Sequence, residues 1–215
     1  GIPYAQPPVG DLRWKAPKNL LATNEVIDAT KFKSECIQPG REGLIPNINV
    51  SVGSEDCLYL NIYIPKNQTE FNKNQFPVMF WIHGGSIIWG SGDFYDFSKL
   101  ATTQQVIVVT INYRLGLFGW FSSEHLRNTA TGLDKSSNFG QLDLLKGLEW
   151  VQENISAFGG DKDNITIFGE SAGGHNVLTL LASPLSEGLF HKAISQSGYV
   201  SSYTQKFAEE ESELS

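Results

Sequence analysis

The stretch Ile165-Thr166-Ile167-Phe168-Gly169-Glu170-Ser171-Ala172-Gly173-Gly174-His175-Asn176-Val177-Leu178 decides the fold. Its first four residues are apolar or β-branched, the signature of a short strand. From Ser171 to Ala182 the chain reads as a helix that ends before Pro184. Between the two lies the pattern G-x-S-x-G. A sharp strand-to-helix turn brings backbone segments close together, so the positions flanking the serine must be small, and Gly169, Gly173 and Gly174 meet that need. Such a turn holds a hydroxyl out at the carboxyl edge of a sheet, and the helix N-terminus behind it favours developing negative charge. The five-residue pattern alone also occurs in ordinary glycine-rich turns. The strand before it and the helix after it make it a candidate nucleophile elbow with Ser171 as the nucleophile.

Working outward, Val78-Met79-Phe80-Trp81-Ile82 and Val106-Ile107-Val108-Val109-Thr110-Ile111 are continuous apolar, β-branched or aromatic runs. They read as strands buried on both faces, as in a parallel sheet covered by helices. Leu58, Leu60, Ile62 and Ile64 alternate onto one face of a further strand, and Ala193-Ile194-Ser195 is a last one. After a loop at Asp134 to Ser137, Leu144, Leu148, Val151 and Ile155 share one face of a helix stopped by Gly159-Gly160. Strands alternating with helices give an α/β domain with a mostly parallel sheet. The first 60 residues carry no long helical period. Gly1 to Pro17, with Pro3, Pro7, Pro8 and Pro17, reads as extended loop, and Pro65 to Phe76 as polar loop.

Composition narrows the function. The 215 residues suffice for one domain with a sizeable core, and a 40% hydrophobic content excludes a disordered chain. The net charge of -7, with no basic stripe, makes the chain a poor polyphosphate binder, so nucleic acid is not an expected partner. No apolar run approaches the ~18 residues of a membrane span. No histidine pair shows zinc-like ligand spacing, so neither a metal nor a cofactor is expected. Glu209-Glu210-Glu211-Ser212-Glu213 reads as a solvated face or frayed tail. Cys36 and Cys57 are either two buried thiols or one bridge, which would stabilise by roughly 3 kcal/mol in an oxidising compartment.

A second chemical motif, His83-Gly84-Gly85-Ser86, directly follows the strand at Val78–Ile82. A Gly-Gly pair lets backbone N–H groups turn toward one point, where they can receive the oxyanion of a tetrahedral intermediate. With the residue after the nucleophile, the candidate donors are Gly85, Ser86 and Ala172.

Taken together, these stretches resemble the type-B carboxylesterase family, which also contains the cholinesterases. The resemblance runs from Gly1 to about Gly198. It is carried by Gly1-Ile2-Pro3-Tyr4-Ala5, Pro7-Pro8-Val9-Gly10, Leu12-Arg13-Trp14 and Ser54-Glu55-Asp56-Cys57-Leu58-Tyr59-Leu60-Asn61. Further on it is carried by Trp81–Gly85, Asn112-Tyr113-Arg114-Leu115-Gly116, Phe158–Asp161, the elbow and Gln196-Ser197-Gly198. It implies an α/β-hydrolase fold with helices on both faces of the sheet. Residues 1–215 would form the N-terminal part of a single such domain. It implies hydrolysis of small-molecule carboxylic esters through an acyl-enzyme on Ser171, with Gly85, Ser86 and Ala172 as the oxyanion hole. It also implies a disulfide between Cys36 and Cys57, hence an extracellular or periplasmic location, and ion pairs of Arg13 with Glu55 and of Arg114 with Asp161. Ser86 departs from the usual Gly or Ala, and Leu144 from a common Gln. The same fold also hosts lipases, peptidases and non-catalytic adhesion proteins; the last typically lack the nucleophile, which is present here.

Several side expectations follow. His83 is expected to orient the glycine loop, His175 not to act as base, and His125 and His191 to be a loop and a packing residue. The loop from Ile37 to Asp56 holds no aromatic residue, so choline esters are not expected substrates, and Trp89 is expected to wall an acyl pocket. The sequons at Asn49, Asn67, Asn154 and Asn164 are weak signs of secretion. The triad order Ser, acid, His places both partners after Ser171, so this stretch alone is expected not to turn over.

Overall fold

The computed structural model describes residues 1–42, 45–65 and 75–213. In chain order the elements are strands β1 (Ile2–Pro3), β2 (Gln38–Glu42), β3 (Ile45–Val52), β4 (Tyr59–Tyr63) and β5 (Phe76–Ile82), then helix α1 (Ser98–Gln104) and strand β6 (Ile107–Ile111). Helices α2 (Gly116–Gly119), α3 (Glu124–Thr129) and α4 (Phe139–Asn154) follow, then β7 (Gly160–Glu170), α5 (Ala172–Ala182), β8 (Lys192–Gln196) and α6 (Gln205–Glu213). Most of the stretch read as polar loop, and the sequon at Asn67, lie outside the described residues.

Among the described residues the main sheet runs β1-β4-β6-β5-β7-β8. β6, β5, β7 and β8 are mutually parallel, and β4 and β1 join antiparallel at one side. The expected two-sided burial holds. Val78, Phe80, Ile82, Ile107, Val109, Ile111, Ile165 and Ile167 pack on one face with Leu144, Leu148 and Val151 of α4 and Val177 and Leu180 of α5. Trp81, Val108 and Phe168 turn to the other face, against Ala101 of α1 and the half-buried Phe97. Each strand thus sends alternate side chains into two apolar layers, which is why its sequence reads as unbroken hydrophobics.

Two features go beyond the sequence expectations, and a third overturns one of them. Between Pro17 and Leu58, where the sequence predicts no element, the chain forms the hairpin β2–β3, bulged at Pro39/Gly40. The acidic end is helix α6, held to the body where the Arg127 guanidinium donates to Glu209 at 2.9 Å. The third is a correction: Arg114 does not pair with Asp161. Its guanidinium forks onto Asp143 of α4 at 2.8 and 2.7 Å, and its backbone N–H donates to the same carboxylate at 3.0 Å. Both side chains are almost fully buried, so the pair must be mutually satisfied to be tolerated there. Asp161 instead accepts from the N–H of Asp163 in a local turn. The Arg13–Glu55 pair is present as expected, doubly bonded at 2.5 Å. Cys36 and Cys57 are joined by a disulfide.

Candidate active site

The sheet order brings the two motifs together. After β5 the chain moves to β6 on one side, then returns through α4 to β7 on the other side of β5. At such a switch point a crevice opens beyond the carboxyl ends of the strands. Ile82 of β5 lies opposite Gly169 of β7. Two residues further on, beyond the carboxyl ends of β5 and β7, Gly84 and Ser171 face each other.

Ser171 sits at φ 54°, ψ −120°, between the end of β7 and the first turn of α5. A non-glycine residue in the left-handed half of the map is strained, and strain of this kind concentrates at functional positions. Backbone bonds hold it there: its N–H donates to the Gln196 carbonyl, and its carbonyl accepts from His175 N–H, both at 2.9 Å. The close approach expected of an elbow is visible at Gly173, where a β-carbon would fall 2.0 Å from the Ile82 carbonyl oxygen. A β-carbon on Gly169 would lie 2.6 Å from the Gly173 backbone.

On the facing loop, a β-carbon on Gly84 would come within 2.6 Å of the Glu170 carbonyl oxygen and 3.3 Å of the Ser171 β-carbon. Gly85 follows at φ 98°, and Ser86 and Ile87 continue the left-handed bend at φ 58° and 57°. The departure at Ser86 therefore falls where the backbone suits glycine best. Among the described residues no acceptor takes the N–H groups of Gly85, Ser86 or Ala172. Three unpaired donors, two on the glycine loop and one at the first residue of α5, are the raw material of an anion cradle.

His83 supports this loop from below. Its buried ring stacks on Tyr113 at 4.3 Å, and the Tyr113 hydroxyl donates to the His83 carbonyl at 2.6 Å. Burial pushes the imidazole down to about 4, against the opposing pull of the Gly84 carbonyl. It is therefore neutral near pH 7, and with the Gly84 carbonyl oxygen 2.8 Å from Nδ1, that nitrogen carries the proton and donates. Fixing the Gly84 carbonyl fixes the direction of the Gly85 N–H across the same peptide plane.

The side chains of the other three histidines make no hydrogen bond to the serine among the described residues. The His175 ring nitrogen is against the Tyr199 carbonyl, His191 accepts from Ile165 N–H at 3.1 Å, and His125 is exposed on α3. Among the described residues no histidine or carboxylate hydrogen-bonds the Ser171 hydroxyl. The Glu170 side chain brings Oε2 to 3.2 Å from where a Gly84 β-carbon would be. No cluster of metal ligands occurs among the described residues, and no helix there is long and apolar enough to cross a membrane.

Two contributors left no mark in the sequence. The buried Gln38 amide donates to the Gly90 carbonyl at 3.0 Å and accepts from the Gly90 N–H at 2.8 Å, clipping the β2–β3 hairpin to the segment after the glycine loop. Arg41, further along β2, lies with its guanidinium carbon 4.7 Å from the Trp89 ring centre and 5.2 Å from that of Phe94.

Comparison with known proteins agrees with this geometry. The sequence model of the Carboxylesterase family matches residues 1–213. Para-nitrobenzyl esterase of Bacillus subtilis (strain 168) is 48% identical over 210 residues, which are 97% of this chain and 41% of that protein. Carboxylesterase 1E of Rattus norvegicus is 45% identical over 208 residues, 92% of this chain and 35% of that protein. A solved structure titled thermophylic PNB esterase superposes with a TM-score of 0.86 at 45% identity, covering 99% of this chain and 43% of that one. The chain thus spans about two fifths of the length of these relatives.

Proposed function

The chain belongs to the carboxylesterase family and has the α/β-hydrolase fold, and from that premise we propose that it supplies the nucleophile and oxyanion half of a site that hydrolyses small-molecule carboxylic esters. The observation that carries the reading is the facing pair of motifs: Ser171 on a strained elbow, across from a glycine loop whose Gly85 and Ser86 N–H groups, with that of Ala172, have no acceptor among the described residues.

In this reading the Ser171 Oγ attacks the ester carbonyl and loses its proton to a general base. The carbonyl oxygen becomes an oxyanion received by the three N–H groups, and the carbon–oxygen bond to the alcohol breaks as that alcohol takes up the proton. Water then adds to the acyl-serine, and the acid departs with Ser171 restored. The acid and histidine of the triad are assigned to positions after Ser171, in the order usual for this fold, with residues 1–215 as the N-terminal part of one domain. The disulfide favours an oxidising, extracellular or periplasmic setting.

The test is labelling of the full-length protein with a fluorophosphonate and hydrolysis of p-nitrophenyl butyrate. The expected result is label on Ser171 and loss of both signals in Ser171→Ala. An unlabelled Ser171 in a folded protein would overturn the reading in favour of a binding protein.

A further inference from the structure

We infer that Arg41 selects substrates by charge, favouring esters that carry a carboxylate and turning away those that carry a cation; this rests on the ester-hydrolase reading above. The disulfide and the Gln38–Gly90 clip deliver β2 onto the segment that follows the oxyanion loop. From there the half-buried Arg41 guanidinium lies over Trp89 and Phe94 at 4.7 and 5.2 Å. Trp89 in turn is built against the glycine loop: its N–H donates to the Gly85 carbonyl at 3.1 Å, and its ring comes within 3.0 Å of where a Gly85 β-carbon would be. A continuous path of contacts therefore runs from Ser171 through Gly84, Gly85 and Trp89 to Arg41.

A guanidinium stacked on aromatic rings keeps its N–H edge free for a carboxylate, which it can meet in a two-pronged fit. Among the described residues Arg41 has no ion-pair partner. Glu35, which feels the charges of both Arg41 and Asp93, stays beyond ion-pair distance, and Asp93 is bonded to the Ser91 hydroxyl. The same placement acts against cations. A quaternary ammonium needs an aromatic face, and Arg41 already places a positive charge over one face of both Trp89 and Phe94.

The test compares kcat/KM of the full-length protein for mono(p-nitrophenyl) adipate, which ends in a carboxylate, with that for p-nitrophenyl butyrate, and for butyrylcholine with that for 3,3-dimethylbutyl butyrate. Arg41→Gln is expected to lower the anionic-to-neutral ratio about tenfold, as for loss of one charged hydrogen-bonding partner, and to raise the cationic-to-neutral ratio. Arg41→Lys keeps most of the anionic preference, and added salt erodes it in the unaltered protein. A separate arm removes turnover: in Ser171→Ala protein, calorimetric titration should show monoethyl adipate binding more tightly than diethyl adipate, with the preference lost when Arg41→Gln is added. Ratios and binding preference indifferent to Arg41 overturn the inference. Absent hydrolysis with an intact binding preference overturns only the ester-hydrolase reading.

Discussion

Gly84 has no room for a side chain beside Ser171: a β-carbon there would lie 2.6 Å from the Glu170 carbonyl oxygen and 3.3 Å from the Ser171 β-carbon. The glycine loop and the elbow are therefore fitted backbone to backbone. Gly84→Ala must push the loop off the elbow and carry the Gly85 N–H with it. Misplacing one oxyanion donor typically costs about a hundredfold in kcat. That loss in kcat, with KM for p-nitrophenyl butyrate changed far less, is the expected outcome in steady-state kinetics.

His83 links acidity to stability. Its folded value, about 4, lies below the 6.5 of an exposed imidazole. The unfolded chain therefore takes up a proton first as the pH falls. Full stability is present above about pH 6.5, and it declines as the pH drops toward 4, by about 3 kcal/mol in all. Urea unfolding at pH 7.5 and pH 4.5 should show this fall in the unaltered protein and a smaller one in His83→Asn.

The buried Arg114–Asp143 pair separates two assignments cleanly. Removing one member of a buried, doubly bonded pair strands the other and costs about 3–5 kcal/mol. Asp143→Asn should fall near that range or fail to fold. Asp161→Asn touches only a local turn and should change stability by less than about 1 kcal/mol. Equal effects in denaturant unfolding would contradict the pairing described here.

The Cys36–Cys57 bridge closes a span of 21 residues. Replacing both cysteines by alanine should lower stability by about 3 kcal/mol. Thermal melts of the double variant, beside the unaltered protein with and without reductant, read this directly.

How much of this was legible in the sequence follows from what each residue depends on. The elbow, the glycine loop and strands β5 to β8 announce themselves because their requirements are local: small residues at a tight turn, apolar residues on two buried faces. The hairpin β2–β3 does not. Pro39, Gly40 and Pro46 interrupt its pattern, much of β3 is exposed, and it is held by a disulfide and by the distant Gly90. The Arg114–Asp161 pairing implied by the resemblance fails because a carboxylate's neighbour is a long-range fact. One local sign pointed to Asp143: it sits between Gly140 and Gly147 on α4. A β-carbon on Gly140 would fall 2.6 Å from the Arg114 carbonyl oxygen, so the helix approaches that strand end closely enough for a buried ion pair. Helix α6 escaped because charged residues give it no apolar face long enough to read.

The pairing of Ile82 with Gly169 also sets how finely the nucleophile is placed. A slip of β7 along β5 by one residue would carry Ser171 about 3.3 Å past Gly84, enough to disengage elbow from loop. It would also move Thr166 and Phe168 into the layer now filled by Ile165 and Ile167, inverting both cores at once. The alternating apolar residues of one strand thus work as a ruler as well as a filling, and errors of alignment are rejected by burial before they can reach the chemistry.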